Sequence, residues 1–206
     1  KKRKITSNKI NVVNHFSPFI KSNYEPNYEL NNIFYAGNTG RPQNLSAFLR
    51  YFDKYFPSDW KLDIYGAGQE FNNLSQFTNK NIRINNYQER KKLENLTKDI
   101  PFALISLDYE ITFEGFPGKT FDYLNMNKVL INFSNPNSVV SKLIDKYGLG
   151  FNIDSNDPES LKGKLEDMKS SNEISKILEN IKYFQKSISN KEIAFKSYLE
   201  LISPSS

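Results

Sequence analysis

From Ile33 onward, short apolar runs alternate with stretches in which apolar residues recur every three or four positions. The runs are Ile33-Phe34-Tyr35-Ala36, Leu62-Asp63-Ile64-Tyr65, Ile82-Arg83-Ile84, Pro101 to Ser106, Val129-Leu130-Ile131-Asn132 and Gly150 to Ile153. Their length and content predict strands. The intervening stretches predict helices: one through Leu45, Phe48, Leu49, Phe52 and Phe56, a short piece around Phe71 and Leu74, and one over 88–99 with Leu93 and Leu96. Two more are predicted from Pro117 and over 137–146, the latter carrying Val139, Val140, Leu143 and Ile144. Strand and helix in alternation mean crossover connections, so the expected class is α/β, a doubly wound Rossmann-like parallel sheet with helices on both faces. Asp157 opens a further helix as its cap, and two charged helices, about 173–188 and 191–202, complete the pattern. In such a sheet ligands sit beyond the carboxyl ends of the strands, in the strand-to-helix loops.

Before Ile33 the periodicity fails. Ile10-Asn11-Val12-Val13 is strand-like, but Asn14, His15, Pro18 and Pro26 break the rest, so residues 1–32 read as a connector with one short strand. The expected division is connector 1–32, Rossmann-like domain 33–170, and C-terminal helices with a polar tail over 171–206.

Composition narrows the chemistry. Among 206 residues there is no cysteine and one histidine, which removes disulfides, thiolate metal sites and most histidine-based ones; a cytosolic setting is the simple inference. No apolar run nears the roughly 20 residues a membrane span needs. The net charge is +5, but acids and bases interleave almost everywhere, which describes a solvated surface and argues against nucleic-acid binding. The 16 Phe and 12 Tyr are mostly core, with Tyr87 placed to stack on a base.

Three loops carry candidate chemistry. Gly37-Asn38-Thr39-Gly40-Arg41 follows the first run; it is either an ordinary glycine turn or a phosphate cradle with Arg41 as counter-charge. Gly66-Ala67-Gly68-Gln69-Glu70 holds only the opening of a dinucleotide fingerprint, lacks its third glycine, and fits a tight strand-to-helix turn better. The loop from Leu107 to Phe116 holds Asp108, Glu110 and Glu114, a set that suits solvation better than a metal, and no metal is expected.

That loop leads into Glu114-Gly115-Phe116-Pro117-Gly118-Lys119-Thr120-Phe121-Asp122, two carboxylates eight positions apart with a lysine between them. Pro117 suits a first helical position and Gly118 allows close approach to the backbone. Gly118 and Asp122, four apart, share a helix face about 6 Å apart along the axis. An anion at the helix start would have a carboxylate one turn inside.

Taken in order, these segments resemble the C-terminal, donor-binding half of GT-B glycosyltransferases, specifically the large retaining family four (glycosyl transferases group 1) that builds bacterial polysaccharides and glycolipids. The likeness covers about residues 10–168. Ile10 to Pro18 resembles that family's entry strand, Tyr35 to Gly40 its first glycine loop, and Gly66-Ala67-Gly68 its Gly-x-Gly-Pro turn with Gln69 for proline. Glu114 to Asp122 resembles its paired-glutamate motif with the second Glu shortened to Asp, and Lys128 to Ile131 the apolar run that follows.

The resemblance implies a glycosyltransferase of hexosyltransferase type using a nucleoside-diphosphate sugar, with no cofactor and no metal. Glu114 would face the donor sugar, and Asp122 would bind the ribose diol. The backbone around Gly118, Lys119 and Thr120 would hold the diphosphate. Gly37, Asn38, Gly40, Arg41, Gly66, Gly68, Tyr87, Phe116 and Pro117 would complete the donor site. Asn38 and Gln43 stand where the family keeps an Arg and a Lys, so Lys119, a catalytic candidate with Glu114, and Arg41 would supply the charge. The implied partners are the nucleotide-sugar donor, an N-terminal acceptor domain missing from this chain, and a glycan or lipid-linked acceptor. The chain alone would be inactive; the full enzyme would act in the cytoplasm, with room for peripheral contact at the inner face of the membrane. The two terminal helices would in part return toward the missing domain, so apolar positions on them need not be core. Competing readings are half of a nucleotide-sugar epimerase and a non-catalytic module of the same fold.

Overall fold

The computed structural model describes residues 24–112 and 115–202. The strand expected at Ile10–Val13, His15 and Glu114 therefore lie outside the described residues.

Six strands form one sheet: β1 (Asn32–Asn38), β2 (Lys61–Ala67), β3 (Ile82–Asn86), β4 (Phe102–Ser106), β5 (Val129–Ser134) and β6 (Gly150–Asp154). All pairings are parallel, in the order β3-β2-β1-β4-β5-β6. Strands covered on both faces read as unbroken apolar runs, and β4 and β5 are buried at every position. Between them run α1 (Leu45–Tyr55), α2 (Phe71–Leu74), α3 (Arg90–Thr97), α4 (Lys119–Asn125) and α5 (Val139–Tyr147); α6 (Lys164–Lys169), α7 (Ser171–Ser187) and α8 (Lys191–Ile202) follow β6. The α/β class, the six strands and the order of the helices between them agree with the sequence reading.

Three local details differ from it. The helix after β4 begins at Lys119, with Gly118 as its cap residue, so Pro117 stands outside and accepts the Thr120 N–H through its carbonyl. Asp157 does cap the chain after β6, accepting from the Glu159 N–H, but what it opens is a 3₁₀ turn over Pro158–Leu161, with α6 starting later. Finally α7 buries Ile174, Ile177, Ile181 and Phe184 in the main core, whereas α8 leaves Ile193, Phe195, Tyr198 and Leu199 exposed and buries Ala194.

The core is aromatic on the α1 side: Phe48 meets Phe52, Phe56 and Phe133, and Phe56 meets Trp60, which meets Phe102. Lys128 is an exception to the apolar interior. Its buried ammonium donates to the carbonyls of Thr97, Lys98 and Ile100 at 2.6, 3.0 and 2.7 Å, closing the C-terminal end of α3, where carbonyls lack helical partners.

Two features set up a site. Strand order reverses between β1 and β4, the switch point of an open sheet. There the two strands pair only at Ile33–Phe102 and Phe34–Ala103 and then part. The Tyr123 hydroxyl takes over beyond them, accepting from the Ala36 N–H at 2.8 Å and donating to the Ala36 carbonyl at 3.0 Å. Backbone polar groups need partners, and this one side chain satisfies both while the crevice stays open.

Candidate functional site

A cavity of about 200 Å³ opens in that crevice, lined by Ala36 and Gly37 of β1, Tyr65 of β2, Tyr87, Gln88, Arg90, Leu93 and Glu94 around the start of α3, and Lys119, Asp122 and Tyr123 of α4. Its walls are largely apolar, with four charged groups turned into it: Arg90, Glu94, Lys119 and Asp122.

Lys119 is the unusual one. Its Nζ is shut off from solvent with no hydrogen-bond partner among the described residues, and it lies 3.7 Å from the centre of the Tyr35 ring. The ring face offers a cation some compensation for lost water, though less than a hydrogen-bonded anion would. Burial accordingly pulls the ammonium down from 10.5 to about 7. The same burial raises the Tyr35 and Tyr123 phenols. Lys119 reaches this place because Gly37 has no side chain: a Cβ there would stand 3.0 Å from Nζ, at a φ of +129° that other residues rarely adopt.

Across the cavity Asp122 lies 3.6 Å from an Arg90 nitrogen, and the Arg90 Nε donates to Glu94 at 2.8 Å. Arg90 was not singled out by sequence reasoning. Within Glu89-Arg90-Lys91-Lys92 it looks like a solvated helix start, and only the turn of α3 onto the crevice separates it from its neighbours. Tyr87 is 62% exposed at the mouth.

Beyond Gly37, the two glycine loops meet each other rather than the cavity. A Cβ on Gly68 would fall 2.4 Å from Asn38 Oδ1 and 2.9 Å from the Thr39 nitrogen, and one on Gly66 would fall 2.6 Å from Thr39 Cγ2. Thr39 N–H donates to the Ala67 carbonyl and Glu70 N–H to that of Thr39, so the loops interlock. Gly66 and Gly68 make room for Asn38 and Thr39. Gly40 begins a 3₁₀ turn over Arg41–Gln43 and donates its N–H to the Gln43 side chain. Arg41 extends into solvent, 3.9 Å from Glu70.

On the other bank, Phe116 stacks edge-on to Phe121 at 5.7 Å and walls a neighbouring groove. The Thr120 N–H, expected to face an anion, is engaged with Pro117, and the Thr120 side chain is fully buried. Gly118 has ordinary helical backbone angles and a Cβ there would touch none of the described residues within 4 Å, so among them its lack of a side chain leaves open space before Lys119. Asp108 is structural: it accepts from the Asn44 amide at 2.9 Å, and its N–H donates to the Pro42 carbonyl. Among the described residues no three His, Cys, Asp or Glu side chains gather as a metal site requires. The structure thus brings Gly37, Tyr87, Lys119 and Asp122 to one cavity and leaves Arg41 and Phe116 facing elsewhere.

The sequence matches no protein-family model and no curated protein. Solved structures do resemble it. WaaG, a glycosyltransferase involved in lipopolysaccharide biosynthesis, superposes with a TM-score of 0.69 at 10% identity over 96% of this chain and 58% of WaaG. A mutant of TarM from S. aureus, in complex with fondaparinux, alpha-GlcNAc-glycerol and UDP, gives 0.69 at 13% identity over 94% of this chain and 40% of TarM. The C-terminal domain of LpcC, a glycosyl transferase group 1 family protein from Francisella tularensis, gives 0.52 at 13% identity, over 87% and 88% of the two chains. This chain thus spans about half the length of the first two and nearly all of the third. Its parallel six-stranded sheet with flanking helices is the Rossmann-like fold of the C-terminal domain of GT-B glycosyltransferases.

Proposed function

We propose that this chain is the donor-binding half of a retaining glycosyltransferase that moves a hexose from a nucleoside-diphosphate sugar to a glycan or lipid-linked acceptor in bacterial surface polysaccharide synthesis. The observation that carries this reading is the Lys119 ammonium, buried without a hydrogen-bonded anion among the described residues, in the switch-point cavity that also holds Asp122. A diphosphate entering there would supply the missing counter-charge. The adjoining ribose would present its diol to Asp122, whose carboxylate has acceptor sites for both hydroxyls. Tyr87 at the mouth offers a ring for the base. UDP bound in TarM is the kind of ligand this arrangement fits.

In the reaction, the bond between the anomeric carbon and the diphosphate oxygen breaks and its electron pair leaves with the nucleotide. The acceptor oxygen bonds to the same face of that carbon, and its proton passes to the departing phosphate. Lys119 would stabilise the charge building on the leaving oxygen, a task for a preorganised cation in a site with little water. Glu114 is assigned to the donor sugar by resemblance alone. The acceptor would be held by a separate N-terminal domain, so the chain by itself binds donor without transferring it; neither metal nor cofactor is required.

Calorimetric titration with UDP, GDP and their sugars tests the reading. Binding of at least one of them, weakened by Lys119→Met and by Asp122→Ala, supports it. No heat from any of them at millimolar concentration overturns it.

A further inference from the structure

Beside the nucleotide cavity lies a second concavity, about 360 Å³, which the proposed donor site does not use. Phe121 and Phe184, both nearly fully buried, lie at its base, and Phe116 of the loop before α4 forms one wall. The opposite wall is α5, on which Val139, Leu143 and Tyr147 recur at helical spacing and line the groove.

The charges of α5 are sorted around that row. Lys142 and Lys146 line the groove, while Asp145 is turned to β6, where it accepts from the Asn152 amide at 2.7 Å. Among the described residues the groove is lined by two ammonium groups and no carboxylate, and neither lysine makes an ion pair with a described residue. Lys146 instead lies 5.1 Å from the Tyr147 ring. An open apolar trough with ammonium groups on its rim gives an amphiphile two sources of affinity, burial of its apolar part and charge pairing at its end. The complementary occupant has an apolar body and an anionic end.

We propose that this groove takes the hydrocarbon chain of an anionic lipid, with the lipid's phosphate on Lys142 and Lys146. Chain burial supplies the affinity and the ammonium pair selects the headgroup. Because Phe116 belongs to the loop leading to Lys119, an occupant here would border the donor site. The inference does not depend on what the nucleotide cavity binds.

Titration of the full chain with dodecyl phosphate below its micelle threshold is the test, with octyl phosphate, inorganic phosphate and dodecyl maltoside as the other arms. The expected result is one dodecyl phosphate per chain, binding at least about tenfold tighter than octyl phosphate, since each methylene taken out of water contributes. Inorganic phosphate and the neutral maltoside should bind at least about tenfold more weakly than dodecyl phosphate. Lys142→Glu with Lys146→Glu, both at exposed positions, should remove the preference over the maltoside, and Phe116→Ser should weaken both long-chain ligands. Circular dichroism of these variants should match wild type. Equal binding of dodecyl phosphate and maltoside, inorganic phosphate as tight as the amphiphile, or uptake of many molecules per chain would each overturn it.

Discussion

Lys119 Nζ would lie 3.0 Å from a Cβ on Gly37, so the one buried amine of the cavity occupies space that only a glycine at that strand end leaves free. Gly37→Ala therefore meets two obstacles, a crowded amine and a φ of +129°. It should lower unfolding free energy by about 1–3 kcal/mol in urea melts and weaken nucleotide binding at the same time.

Gly118→Ala is the contrasting case. Its backbone is helical and its Cβ would meet open space, so stability should stay within about 0.5 kcal/mol of wild type or rise slightly. If a diphosphate lies against the backbone there, titration should show about tenfold weaker binding in a protein that melts normally. Unchanged affinity would move the diphosphate away from Gly118.

Replacing Lys119 by Met removes the charge and keeps most of the volume. UDP or GDP affinity should fall by at least about tenfold, the scale of one charge-assisted contact of about 1.5–3 kcal/mol. Stability should move the other way. Below about pH 7 the wild-type protein carries a buried ammonium, whereas between about 7 and 10.5 the folded form sheds a proton that the unfolded chain keeps. Wild-type stability from this group thus rises across that window. The melting temperature of Lys119→Met should exceed that of wild type most below pH 7, and the gap should narrow as pH climbs.

The same titration should appear in binding. An anion beside Lys119 raises the ammonium above its free value of about 7, so the complex takes up a proton. Affinity for a nucleoside diphosphate should then fall as pH rises from 7 to 9, by up to about tenfold per pH unit, and should not do so in Lys119→Met. Calorimetry in buffers of different ionisation heat would read the proton uptake directly.

Lys128→Met should be among the most damaging single changes. It removes the donor shared by three carbonyls at the end of α3, of which that of Thr97 keeps the Ile100 N–H, at a cost of about 2–4 kcal/mol by chemical denaturation.

The architecture was legible because the strands here are central and parallel, so their apolar runs are unmixed, and because α1 and α5 show their buried faces at helical spacing. What escaped depends on contacts between distant segments. Sequence can place Gly66 and Gly68 in a turn, but not reveal that Thr39 fills the space above them. Arg90 reads as one more charge in a basic run until α3 is docked. Arg41 looks like a phosphate ligand because it follows a glycine loop, yet a 3₁₀ turn carries it outward to Glu70. Pro117 was set inside the helix by its preference for a first turn, and the Thr120 N–H uses its carbonyl instead. Lys119 was legible as a candidate charge, but its burial over Tyr35 was not.

The interlock of the two glycine loops divides the labour of any motion at the crevice. With Thr39 locked between Ala67 and Glu70, the bank formed by β1 and β2 acts as an anvil that cannot yield without unpicking backbone hydrogen bonds. On the facing bank, Gly115 and Gly118 lie in the approach to Lys119 with no described residue packed where their side chains would be. If the proposed donor binds here, the expected adjustment is one-sided: the approach to α4 has room to shift, while the β1–β2 bank would have to break backbone hydrogen bonds to do so.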